Sequence, residues 1–154
     1  MRKILYTIAI LFIVSSCSEY SYTTTDNQKL QISMKAKFNP YFIHNEYNAD
    51  ENEGKITLLG FTIPDYLFEN CQNLLSVTIG FDCKRIGEGA FKGCTSLKSV
   101  YIGDGSNIEG SPYMFDGNAY NRKIYSGSYR KYSALPYWSD YKYDFRDFNY
   151  YEVH

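Results

Sequence analysis

Residues Ile63 to Gly80 read IPDYLFENCQNLLSVTIG, and Ile86 to Gly103 read IGEGAFKGCTSLKSVYIG. The two stretches align without gaps at an offset of 23 residues. Ile63/Ile86, Phe68/Phe91, Cys71/Cys94, Leu74/Leu97, Val77/Val100, Ile79/Ile102 and Gly80/Gly103 all match. Seven matches at one offset, most of them apolar, mark an internal repeat. Within each copy, SVTI and SVYI alternate polar and apolar residues, the period of a half-buried strand. Val77, Ile79, Val100 and Ile102 are expected to point inward, and Ser76, Thr78, Ser99 and Tyr101 outward. Ala90, Phe91 and Cys94, at i, i+1 and i+4, suit one short helical turn with an apolar side. One such unit cannot bury its own apolar face, so neighbours must stack into a solenoid with a short parallel sheet. A third, degenerate copy runs through Ile108, Met114 or Phe115, and Ile124. A fainter one precedes them, because Ile56 lies 23 residues before Ile79.

IGEGAFKGCTSLKSVYI, from Ile86 to Ile102, closely resembles the unit of the BspA-like leucine-rich repeat family of bacterial surface proteins. That unit runs as Ile-Gly, Ala-Phe, Gly-Cys, a Leu, and a Val or Ile strand. The earlier copy departs from it with IPDYLF. The tail KIYSGSYRKYSALPYWSDY (Lys123 to Tyr141) resembles the family's C-terminal strand, short helix and Trp-containing cap. The head from Tyr22 to Leu58 resembles the β region that often precedes such repeats. The resemblance implies a leucine-rich repeat solenoid with an N-terminal β region over 22–58, repeats over 56–125 and a Tyr-rich C-terminal cap over 123–154. It also implies binding rather than catalysis: adhesion, or contact with a host or other protein partner.

The first 17 residues have a different character. Arg2 and Lys3 give a basic start, Ile4 to Val14 an 11-residue apolar run, and Ser15-Ser16-Cys17 a small-residue exit. Eleven residues fall short of the roughly 20 that span a bilayer, so the stretch reads as a signal peptide over 1–16. FIVSSC is similar to a bacterial lipobox, in which the Cys thiol takes a diacylglyceryl group and cleavage falls just before it. Cys17 is therefore the expected lipidation site, with 17–21 a tether, and the protein is expected to be exported, anchored to the outer membrane and displayed on the cell surface. Of the 16 basic residues Arg2 and Lys3 leave with the signal, so 14 face 17 acidic ones. That balance argues against nucleic acid or an anionic membrane as the main partner, since both need a basic face.

The remaining chemistry is sparse. Cys71 and Cys94 repeat with the unit and are expected as small buried residues, Cys83 lies in the loop between units, and the disulfide state of all three stays open. No CxxC spacing supports a metal. The acidic string around Asp50, Glu51 and Glu53 lacks EF-hand register and reads as a solvated turn. A Ser-His-Asp arrangement would have to use His44, since the other His is His154, and no GxSxG elbow or glycine-rich phosphate loop occurs. An enzyme is not expected, nor a cofactor. Aromatics are the last signal, with 17 Tyr, 10 Phe and 1 Trp. Tyr101 is expected on the exposed strand face, with Tyr125 its counterpart in the next coil. Ser76, Thr78, Ser99, Tyr101 and Tyr125 thus form the candidate binding face. Two clear units make that face only about 15 Å across at about 4.8 Å per strand. Two other roles fit the same residues: an accessory lipoprotein docked to an uptake or envelope complex, and a glycan-binding protein using exposed aromatics such as Trp138.

Overall fold

The computed structural model describes residues 17–32, 39–103 and 107–148. The signal-peptide reading for 1–16 and the end of the C-terminal segment lie outside them. The strands are β1 (Cys17–Thr24), β2 (Phe42–Asn48), β3 (Glu53–Leu59), β4 (Thr62–Ile63), β5 (Leu74–Ile79), β6 (Arg85–Ile86), β7 (Ser99–Ile102), β8 (Lys123–Tyr125) and β9 (Phe145–Arg146). Between β8 and β9 stand α1 (Tyr129–Tyr132) and a 3-10 helix, Trp138–Tyr141. Seven strands form one sheet in the order β2-β3-β1-β5-β7-β8-β9, while β4 and β6 pair separately.

The repeated residues build the parallel half of this sheet. β5 and β7 pair from Ser76↔Ser99 to Ile79↔Ile102, so Val77 and Val100 bury side by side. β7 and β8 pair Val100↔Ile124 and Tyr101↔Tyr125, a step one residue longer. The extra residue falls between Ile102 and Glu109, because Arg85 bridges to Glu109 and the later positions keep the longer offset. Behind the strands each coil turns back through tight hydrogen-bonded turns, not through a helix. The N–H groups of Tyr66, Phe68 and Asn70 donate to the carbonyls of Glu88, Ala90 and Lys92 in the next coil, and those of Gly89, Phe91 and Gly93 to Pro112, Met114 and Asp116. This ladder needs left-handed backbone at the same places in every coil: Tyr66, Gly89 and Tyr113, then Asn70, Gly93 and Gly117. Only Gly or Asn holds the second position without strain. At Gly93 a Cβ would lie 2.2 Å from Asn70 Oδ1.

Inside, Phe68, Phe91 and Phe115 stack at centroid distances of 5.2 and 5.5 Å. Trp138 and Tyr141 close the far end of this column against Phe115. The indole N–H donates to Ile108 O at 2.9 Å, and the Tyr132 hydroxyl accepts the N–H of Ile108 at 3.2 Å. Arg122, also buried, donates to Phe115 O and to the Asp144 carboxylate while its guanidinium lies over the rings of Phe115 and Tyr141.

The N-terminal segment differs from expectation. Residues 17–21, expected as a tether, are strand: β1 starts at Cys17 and runs antiparallel to both β3 and β5. Ser18, Tyr20, Tyr22 and Thr24 point into the core, so the β region begins at Cys17 rather than at Tyr22. Ile56, expected in a faint repeat, sits instead in β3 opposite Tyr20, two strands away from β5. The acidic string forms the β2–β3 hairpin turn, with Asn52 in left-handed backbone.

Candidate functional site

Because side chains alternate across a strand, each register row places one residue per strand on the same side of the sheet. One row crosses all seven strands: Glu46, Lys55, Ser21, Thr78, Tyr101, Tyr125 and Arg146. The row beside it runs Thr23, Ser76, Ser99 and Lys123. All five residues expected on the binding face are therefore on one surface. Thr78 is exposed, while Ser76, Ser99 and Tyr101 are half-buried. Tyr125 is a correction. It is only 7% exposed, stacked on Tyr101 at 5.1 Å on one side and flanked by β9 on the other. The face is also broader than the repeats alone suggest, since β1, β2 and β3 extend it. Seven strands at about 4.8 Å span about 29 Å.

The two halves of this surface differ in chemistry. At the β2–β3–β1 end the charges pair among themselves. Lys55 Nζ lies 3.2 Å from Glu19, and His44 Nε2 lies 3.3 Å from Glu46. The Glu19 carboxylate, by hydrogen bond and charge, raises the Lys55 pKa. At the β5–β7–β8 end the outward side chains are hydroxyls, a tyrosine stack and Lys123, with the Thr23 and Ser76 hydroxyls 2.6 Å apart. Short hydroxyls and ordered rings suit recognition of a protein surface, because they give area and hydrogen bonds with little entropy to lose.

The other sequence-level candidates fall elsewhere. Trp138 is fully buried and hydrogen-bonded, which removes it as an exposed glycan platform, and Tyr132 and Tyr141 are core as well. Tyr137 and Tyr143 remain exposed near the C-terminal segment, and Tyr129 is half-buried. Cys71, Cys83 and Cys94 are free, buried thiols. The Cys71 thiol donates to Gln31 O and that of Cys94 to Phe68 O. The adjacent Cys94 thiol, together with burial, pushes the Cys71 pKa up, and burial does the same at Cys83. His44 is exposed on β2 with Glu46 beside it. Among the described residues no three His, Cys, Asp or Glu side chains gather as a metal site, and no helix is long and apolar enough to cross a membrane.

Sequence reasoning missed Arg122. A lone Arg in an irregular stretch carries no pattern, and only the closing of the phenylalanine column gives it a partner. It also missed the inward Ser18 and Thr24, whose polarity hides the alternation of β1.

Residues 61–133 match the model of the BspA type leucine-rich repeat region. Over these residues, just under half of the chain, the match supports a BspA-like leucine-rich repeat family. Repeats of this kind are in general protein-binding or adhesion modules and are typically non-enzymatic. No curated protein and no solved structure matches the chain.

Proposed function

We propose that the protein is a non-catalytic, lipid-anchored protein of the bacterial cell surface that binds a protein partner through the outer face of its sheet. The observation that carries this reading is the hydroxyl-and-tyrosine surface of Ser76, Thr78, Ser99 and Tyr101 on a rigid parallel ladder. Strands of two to eight residues make the whole face on the order of 600 Å² at about 3.3 Å per residue and about 4.8 Å between strands. A stable interface takes about 800 Å² per partner, so the binding is modest in affinity or recruits the neighbouring edges. Export under the leader over 1–16 and acylation of Cys17 supply the location. The basic start, short apolar run and FIVSSC exit support both. The Tyr-rich C-terminal segment acts as a cap that shields the last coil, as solenoids require.

An accessory role in an envelope complex would use the same face, and one experiment separates the two. A photo-crosslinking amino acid at Thr78, or at Tyr120 as control, is introduced into cells grown alone and into cells mixed with host extracellular protein. The reading expects a discrete protein adduct from position 78 only, and only in the mixture. An adduct from 78 in cells alone assigns the partner to the envelope. Adducts from 120 alone, or none, reject the face.

A further inference from the structure

Half of the large exposed apolar side chains gather in one place. Among the described residues the full set is Tyr41, Leu59, Phe61, Phe81, Tyr113, Tyr120, Tyr137 and Tyr143, so every exposed Phe or Leu is Leu59, Phe61 or Phe81. These three, with Tyr41, gather at one end of the sheet, and that end is where Cys17 enters it. Cys17 pairs directly with Leu59 as the first residue of β1. The Leu59 N–H donates to Tyr41 O at 2.7 Å, and Phe61 lies two residues beyond Leu59, its carbonyl accepting the Lys84 N–H at 2.7 Å. Phe81 follows the last residue of β5 by two. Because β5 runs antiparallel to β1 from Ser21↔Thr78, the close of β5 lies beside the start of β1. Exposures are 38% for Leu59, 41% for Phe61, 52% for Tyr41 and 74% for Phe81.

We propose that this end of the sheet, with Tyr41, Leu59, Phe61 and Phe81 around Cys17, lies against a lipid bilayer, so that the acylated Cys17 seats the solenoid on the membrane with no spacer. The proposal rests on the reading of Cys17 as lipid-bearing. Given that lipid, geometry leaves little freedom: acyl chains on the first residue of a strand bring the membrane to that residue's neighbours. Those neighbours are the only exposed Phe and Leu side chains among the described residues, and such side chains belong at a headgroup boundary. Lys84, exposed in the same loop as Phe81, suits the phosphate level. The strands then stand away from the bilayer, and the face of Thr78 and Tyr101 is left open beside it.

The test uses the full chain expressed in its membrane, purified and placed in phosphatidylethanolamine–phosphatidylglycerol vesicles with or without brominated acyl chains. Phe81→Trp and Tyr120→Trp are compared with the parent, whose buried Trp138 gives the common background. Tyr120 is fully exposed and precedes β8, so it marks the opposite end of the parallel strands. Intact mass reports the lipid on Cys17. The expected result is a lipid mass together with at least twofold quenching of the Trp introduced at position 81, and none of that at 120. A lipid mass with an unquenched Phe81→Trp overturns the membrane face while leaving the anchor standing. Blue-shifted but unquenched emission from a dimer assigns the patch to a second copy and also overturns it. Absence of the lipid mass overturns both readings.

Discussion

Phe91 is the middle ring of the phenylalanine column, fully buried between Phe68 at 5.2 Å and Phe115 at 5.5 Å. Phe91→Ala removes the ring and leaves Phe68 and Phe115 facing a hole between them. Truncation of a buried Phe costs about 3–5 kcal/mol, the higher values where the hole cannot collapse. Collapse is resisted here. The backbones on either side are tied by Phe68 N–H to Ala90 O at 2.8 Å and by Phe91 N–H to Met114 O at 2.9 Å. Asn118 also donates to Phe91 O at 2.7 Å. A domain of this size holds on the order of 6–20 kcal/mol at about 0.05–0.15 per residue. At a few degrees of melting temperature per kcal/mol, the expected drop is about 10–20 °C. Urea unfolding followed by near-ultraviolet dichroism gives the free energy directly, with Tyr120→Ala as an exposed control expected within about 0.5 kcal/mol. A Phe91→Ala loss below about 1 kcal/mol would refute both the stacked column and the repeat register that creates it.

Arg122→Ala should destabilise by about 3–5 kcal/mol in the same assay, because it strips Phe115 O and Asp144 of their buried donor. A near-neutral result would mean that the guanidinium is solvated. Gly93→Ala forces a Cβ onto Asn70 Oδ1 at left-handed backbone and should cost about 1–3 kcal/mol, whereas Gly80→Ala, at ordinary backbone, should cost less. The three buried thiols should ignore a thiol reagent in the native protein and react in full on unfolding; fewer than three would reveal a disulfide. Stability should also fall in alkali. Burial raises Tyr20 and Tyr22, pushes Tyr141 up to about 12, and raises Cys83 from the usual 9.0. Groups raised in the folded state keep their full contribution below the unfolded values. That contribution is lost as pH climbs from about 9 toward and through the folded ones. The melting temperature should therefore be flat near neutrality and decline above pH 9, and a decline already complete at pH 8 would contradict this.

The repeats were legible because stacking demands that like residues recur, so Val77, Val100, Phe68 and Phe91 announce their own neighbours at a fixed offset. The first copy could write Tyr66 and Asn70 where the second has Gly89 and Gly93, because the fold asks for left-handed backbone there, which Gly holds freely, Asn nearly as well, and Tyr66 despite its side chain. β1 was not legible. Its inward residues are Ser18, Tyr20, Tyr22 and Thr24, half of them polar, and its pairing with β5 lies more than 50 residues away. The face of Ser76, Thr78, Ser99 and Tyr101 followed from strand alternation alone. The burial of Tyr125 and Trp138 did not, because it depends on where a long irregular segment folds back over the last coil.

The central claim is that this face is presented outside the cell from an anchor at Cys17. Its most direct test is protease treatment of intact cells carrying the protein or its Cys17→Ala variant. Digestion on whole cells, with the variant released from the membrane, is the predicted outcome. Full protection of both forms until the outer membrane is broken would contradict it.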